Sequence, residues 1–194
     1  MSLTSCGDLS AAAWITASDL PWQQLVTFGP QEFPTYARLR FLPDPTSPGQ
    51  EEPELGVDDP DEYDLLRIAL DLLGEHTHTP EDVYFCMWDG WGTPPALRGL
   101  PTVTVPERSY FLIRGALVDF GDWQTPERMP TGPGFDPPPP AFIWPADHAW
   151  CLAFDVDSHY AGIGATPDAI AQLVAHPALD AVPTEPDEQH PHYM

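Results

Sequence analysis

The sequence predicts an α+β fold: a single domain on a mostly antiparallel β-sheet, with two or three helices and long Pro-rich loops. Three observations carry that expectation. Strand-like runs cluster between Val83 and Ala165 instead of alternating with helices, which disfavours a doubly wound parallel sheet. Helix signals, in which an N-terminal proline or cap meets apolar residues at 3-and-4 spacing, occur at only three places. The 194 residues are 42% hydrophobic but include 26 prolines, so there is material for one core and little room for long uninterrupted elements.

Taken in order, residues 1–17 read as a frayed N-terminus, and the domain spans 18–182. "DLPWQQLVTFGP" predicts a short helix with Pro21 in its first turn and Gly29 at its end. "TYARLRFLP" alternates, with Ala37, Leu39 and Phe41 on one face and Tyr36, Arg38 and Arg40 on the other, as a half-buried strand does. Residues 44–60 form an acidic Pro-rich loop, too polar to offset its own ordering entropy. Asp59 is placed to cap the next helix, with Pro60 first and Glu62 third. Leu65, Ile68, Ala69 and Leu72 give that helix its apolar stripe, and Gly74 ends it. "VYFCMWDGWG" predicts a buried strand running into an Asp89–Gly90 turn, and 109–118 a central strand. Residues 121–141 form a second Pro-rich loop, in which Pro137–Pro140 is extended. "AWCLAFDVD" is a strand with Cys151, Ala153, Asp155 and Asp157 on one face and Trp150, Leu152, Phe154 and Val156 on the other, buried one. Tyr160–Ala165 follows as a strand. Thr166 caps the last helix, Pro167 opens it, and Ile170, Leu173 and Val174 are its buried stripe. Residues 183–194 read as a disordered acidic tail.

The charge balance excludes several functions. Thirty acids face seven basic residues, all of them arginine, for a net charge of −23. Nucleic-acid backbones and anionic membrane surfaces both need basic residues in number, so neither is expected as a partner. A basic protein partner suits the charge. No apolar run exceeds six residues, far short of a membrane span. Leu3–Cys6 is similar to a lipoprotein cleavage site but follows no charged, apolar signal segment, so a cytoplasmic protein is expected. The three cysteines are too scattered for a disulfide framework.

The chemistry-bearing residues concentrate near one stretch. Asp155 and Asp157, about 6.6 Å apart along a strand, with His159 one step on, offer the ligand types of a divalent metal and would suit a metal-assisted hydrolase, with His148 nearby. The plainer reading of the pair is an ion pair with an arginine such as Arg114 at a strand end. "CLAFDVDS" is similar to the nucleophile strand of haloacid-dehalogenase-type phosphatases, but that family also draws on a lysine and this chain has none. His76-Thr-His78 follows a helix end, where histidine is favoured electrostatically. Trp88, Asp89, Trp91, Arg114, Trp144 and His148 are candidates to line a pocket that would bind a small ligand.

Across about residues 18–182, "TYARLRFLPDP", "TPEDVYFCMWDGWG", "RSYFLIRGAL" and "WPADHAWCLAFDVDSHYAGIG" together resemble a group of uncharacterised actinobacterial proteins. The resemblance implies a cytoplasmic single domain and brings no known activity. With no complete catalytic constellation in the sequence, the function expected is non-catalytic binding, of the immunity or antitoxin kind, to a basic partner.

Overall fold

Period-two alternation puts apolar side chains on both faces of most strands here, and a sheet apolar on both faces must be covered on both. The computed structural model describes residues 2–30, 33–53, 56, 60–155 and 158–194. Among them the strands are β1 (Thr4–Ser5), β2 (Thr35–Arg40), β3 (Val83–Trp88), β4 (Val103–Val105), β5 (Arg108–Gly115), β6 (Phe142–Pro145), β7 (Cys151–Ala153), β8 (Tyr160–Ala165) and β9 (Ala181–Thr184). The α-helices are α1 (Ala13–Thr16), α2 (Trp22–Phe28), α3 (Glu62–Gly74) and α4 (Pro167–Ala175). All nine strands form one sheet, with β1-β5-β3-β6-β7-β8-β2-β9 in order and β4 paired to β5, and every pairing is antiparallel. The fold is therefore α+β and mostly sheet, with helices slightly more numerous than expected because α1 adds a single turn.

Alternation sorts most of the core into two large clusters, with a small third one of Phe28, Tyr36 and Tyr160. Val83, Phe85, Met87, Ile113, Ile143, Leu152 and Ile163 face α3 and α4. Cys86, Tyr110, Leu112, Phe142, Trp144 and Cys151 face α1 and α2. The Cys151–Ala153 face is thus as buried as the Trp150–Phe154 face. That shortens the expected strand: β7 stops at Ala153, and Phe154 N–H donates to Ala141 O at 2.8 Å.

The N-terminus is not frayed in this structure. β1 pairs with β5, and Ala12 and Ile15 are fully buried. β9 extends to Thr184 beside β2, and the chain beyond it, expected to be disordered, folds back. There Gln24 donates to Asp187 at 2.6 Å and Tyr193 donates to Pro43 O at 2.5 Å. β5 ends at Gly115, three residues before the expected end, and the chain turns into a 3₁₀ helix over Leu117–Asp122.

Helix boundaries follow the caps. Gly29 ends α2 with φ of 73°, a conformation that favours glycine. Asp59 lies outside the described residues. α3 begins at Glu62, and its cap is Asp61, whose carboxylate accepts from Asp64 N–H at 2.7 Å. Its buried stripe is Leu65, Leu66, Ala69, Leu70 and Leu73, while Ile68 and Leu72 of the expected stripe are half-buried at its margin. Asp61→Ala is expected to cost about 1 kcal/mol, read as a small drop in melting temperature. In α4, Thr166 and Pro167 open the helix as expected, but Ala169 joins Ile170 and Leu173 in the core while Val174 is exposed.

Described residues of both Pro-rich loops are held by specific hydrogen bonds. Pro137–Pro140 presents free carbonyls, and two are used: Tyr63 O–H donates to Pro137 O at 2.9 Å and Trp123 Nε1–H to Pro138 O at 2.8 Å. Trp123 is fully buried, so this loop is anchored in the core. In the other loop, Asp44 accepts from Arg38 through both carboxylate oxygens, at 2.7 and 2.9 Å. No helix among the described residues is long and apolar enough to cross a membrane.

Candidate functional site

Trp88 ends β3 on the α1–α2 face, and the chain then turns sharply over Asp89–Trp91. Gly90 permits the turn, since a Cβ there would stand 2.1 Å from the Trp88 ring. The turn sets Trp91 edge-on to Trp88 at 6.3 Å, with Trp91 60% exposed. Pro138 and Pro139, in the segment that Tyr63 anchors at Pro137 O and Trp123 at Pro138 O, stand with the two indoles around a cavity of about 250 Å³. Three carboxylates line the same cavity: Glu52 from the acidic loop, Glu62 from the first turn of α3, and Asp155 after β7.

These acids are not equivalent. Arg108 holds Asp155 in a two-point pair, Nε to Oδ1 at 3.1 Å and Nη2 to Oδ2 at 3.3 Å. The Arg108 guanidinium also lies over Trp22 and Trp88, 5.4 and 5.5 Å from their ring centres. Glu62 has no such partner among the described residues, and burial, then the charges of Glu52 and Asp61, pushes its carboxyl up from the ordinary value. Asp89 is also pushed up by burial, but it is not among the residues lining the cavity.

The other pocket candidates belong to a separate patch. Trp144 is fully buried, stacked on Tyr84 at 5.6 Å and edge-on to Trp14 at 6.0 Å. His148 stacks in this patch against Trp14, at 4.2 Å. Arg114, the arginine expected for the Asp155 region, instead grips Asp82 with bonds of 2.6 and 2.7 Å and lies over Tyr84. The partner of Asp155 is Arg108, which β5 carries at its other end.

Of the expected metal ligands, Asp157 lies outside the described residues. His159 is buried and points Nε2 at Asp44 Oδ1, 3.1 Å away. Asp155 and His159 do both line a wider cavity of about 600 Å³ beneath the C-terminal segment, with His190 and His192. Among the described residues no three His, Cys, Asp or Glu side chains converge as a metal would require. His76 joins two helices, its Nε2 2.6 Å from Gln172 Oε1, and the His78 backbone N–H donates to Asp147. Burial pushes the Cys86 and Cys151 thiols up, which keeps them protonated.

Two sets of residues escaped the sequence. One is the Glu52, Glu62, Pro138 and Pro139 side of the cavity, supplied by the loops that read as excursions and by the helix start between them. The other is Asp44, on which Arg38, Arg40 and His159 all converge. Arg38 and Arg40 on one strand face were its only advance sign, since a buried and a half-buried cation side by side need an anion. No family model, curated protein or solved structure matches this chain.

Proposed function

We propose that this chain is a non-catalytic binding protein, of the immunity or antitoxin kind, whose carboxylate-rich surface meets a basic protein partner. The observation that carries this reading is how the arginines are spent. Arg38, Arg40, Arg67, Arg108, Arg114 and Arg128 each pair with at least one of the chain's own aspartates, Arg40 with both Asp44 and Asp180. Among the described residues Arg98 alone of the arginines has no ion pair. The few cations are thus neutralised internally, and the charge offered to a partner is that of the remaining carboxylates. Such a field steers a basic partner and repels nucleic acid. A metal-assisted hydrolase draws less support, because Asp155 is engaged by Arg108 and His159 by Asp44.

Octa-arginine is a direct probe. Its association rate is expected to fall by about 10-fold or more between about 50 and about 500 mM salt, measured by stopped-flow fluorescence, while octa-glutamate does not bind. No association of octa-arginine at the lower salt would sink the reading.

A further inference from the structure

Resting on that reading, we propose that the cavity between Trp88 and Trp91 is where the basic partner inserts an arginine side chain. The guanidinium stacks on indole and bonds to the carboxylates of Glu62 and Glu52. Three observations lead there. Both carboxylates line the cavity, and neither has a hydrogen bond or ion pair among the described residues. Glu62 is half-buried, so it has lost part of its hydration without gaining a counter-ion. Trp91 stands at the mouth as a large apolar side chain left 60% exposed, the residue type and setting of an interface anchor.

Arginine fits better than lysine because the protein already satisfies a guanidinium with the same chemistry next door. Arg108 lies over Trp22 and Trp88 and is forked by Asp155, which is itself a wall of the cavity. A planar, weakly hydrated guanidinium can stack and fork at once, whereas an ammonium is strongly hydrated and does neither. Pro138 and Pro139, on the opposite wall, belong to a proline segment anchored by Trp123 at Pro138 O and by Tyr63 at the preceding Pro137 O, so the cavity needs little reorganisation to accept a guest.

The test titrates the full chain with N-acetyl-arginine amide, N-acetyl-lysine amide and N-acetyl-norleucine amide, following tryptophan fluorescence. It then repeats the octa-arginine titration with Trp91→Ala and Glu62→Gln. Blocked arginine is expected to give a saturable change, blocked lysine a several-fold weaker one, and norleucine none. Each substitution is expected to weaken octa-arginine by about 5-fold or more. Trp91→Ala should leave the melting temperature within about 2 °C, because the side chain is mostly exposed. Octa-arginine binding unchanged in both variants would overturn the cavity as the docking point and leave the basic-partner reading standing. Norleucine or lysine binding as tightly as arginine would overturn the guanidinium assignment. Saturable binding of blocked arginine by a chain that ignores octa-arginine would sink the basic-partner reading alone.

Discussion

Replacing Gly162 with alanine is expected to lower the melting temperature by roughly 6–12 °C, the shift that about 3 kcal/mol produces in a chain of this length. Gly162 lies in β8 directly beneath α2, and a Cβ at that position would stand 2.1 Å from the Thr27 carbonyl oxygen and 2.6 Å from Phe28 Cδ1. The first of these is backbone, and it cannot swing away as a side chain would. The strand and the helix must separate instead, at the point where the sheet packs against its α1–α2 layer. Gly164 is the informative comparison. Its Cβ would meet only the rings of Phe33 and Tyr36, at 2.4 and 2.7 Å, so Gly164→Ala should cost less than Gly162→Ala. Gly7, with no atom within 4 Å of a built Cβ, should tolerate alanine without a measurable shift. Equal melting temperatures for the Gly162→Ala and Gly7→Ala variants would contradict the helix placement.

Asp44→Ala is expected to destabilise the protein by about 3 kcal/mol at neutral pH. Asp44 accepts both Nη atoms of Arg38, Nη1 of Arg40 at 2.9 Å and Nε2 of His159 at 3.1 Å. Arg38 is only 8% exposed, so removing the carboxylate strands a guanidinium away from water. The same arrangement fixes a pH dependence. Hydrogen bonds from Arg38, then from His159 and Arg40, hold the Asp44 carboxyl well below its ordinary 3.8, against an opposing effect of burial. A carboxyl depressed in the folded state binds its proton more readily in the unfolded chain. Its stabilisation is therefore complete above that ordinary value and is lost as the pH falls through it toward the folded value. Chemical denaturation of the two proteins side by side should show a gap that is widest at neutral pH and narrows progressively below about pH 5. A gap that stays constant down to strongly acidic pH would show that Asp44 acts by packing and not by charge.

What could be read in advance was local. Thr166 with Pro167, and Pro21 with Gly29, mark their helices because a cap and a terminating glycine act within a few residues of where they stand. Alternation in "TYARLRF" and the apolar run in "VYFCMW" place β2 and β3 for the same reason. The misses were of two kinds. β1, β4, β6 and β9 are two to four residues long, too short for a period to register, and β6 and β9 carry Pro145 and Pro183, which argue against a strand. Pro183 is tolerated because β9 lies at the sheet edge. The second kind is long-range. Asp44 and His159 are 115 positions apart, and Glu52 and Glu62 meet Pro138 and Pro139 only through the fold. Trp88, Trp91 and Asp155 could be singled out by residue type, yet Trp144, His148 and Arg114 looked equally eligible. Strand parity does not separate Trp88 from Trp144, since both face α1 and α2. What separates them is position. Trp88 ends its strand at an open rim, whereas Trp144 is closed in by Trp14 and Tyr84.

That separation also supplies the most direct measurement, because the chain has seven tryptophans and each indole N–H gives its own resonance in a ¹⁵N-correlated spectrum. Titration with octa-arginine should shift and broaden the Trp88 and Trp91 indole signals while those of Trp123, Trp144 and Trp150 stay in place, with Trp91→Phe identifying one of the two. An octa-arginine complex in which the Trp88 and Trp91 signals do not move would contradict an acidic, indole-walled cavity as the place where a basic partner is held.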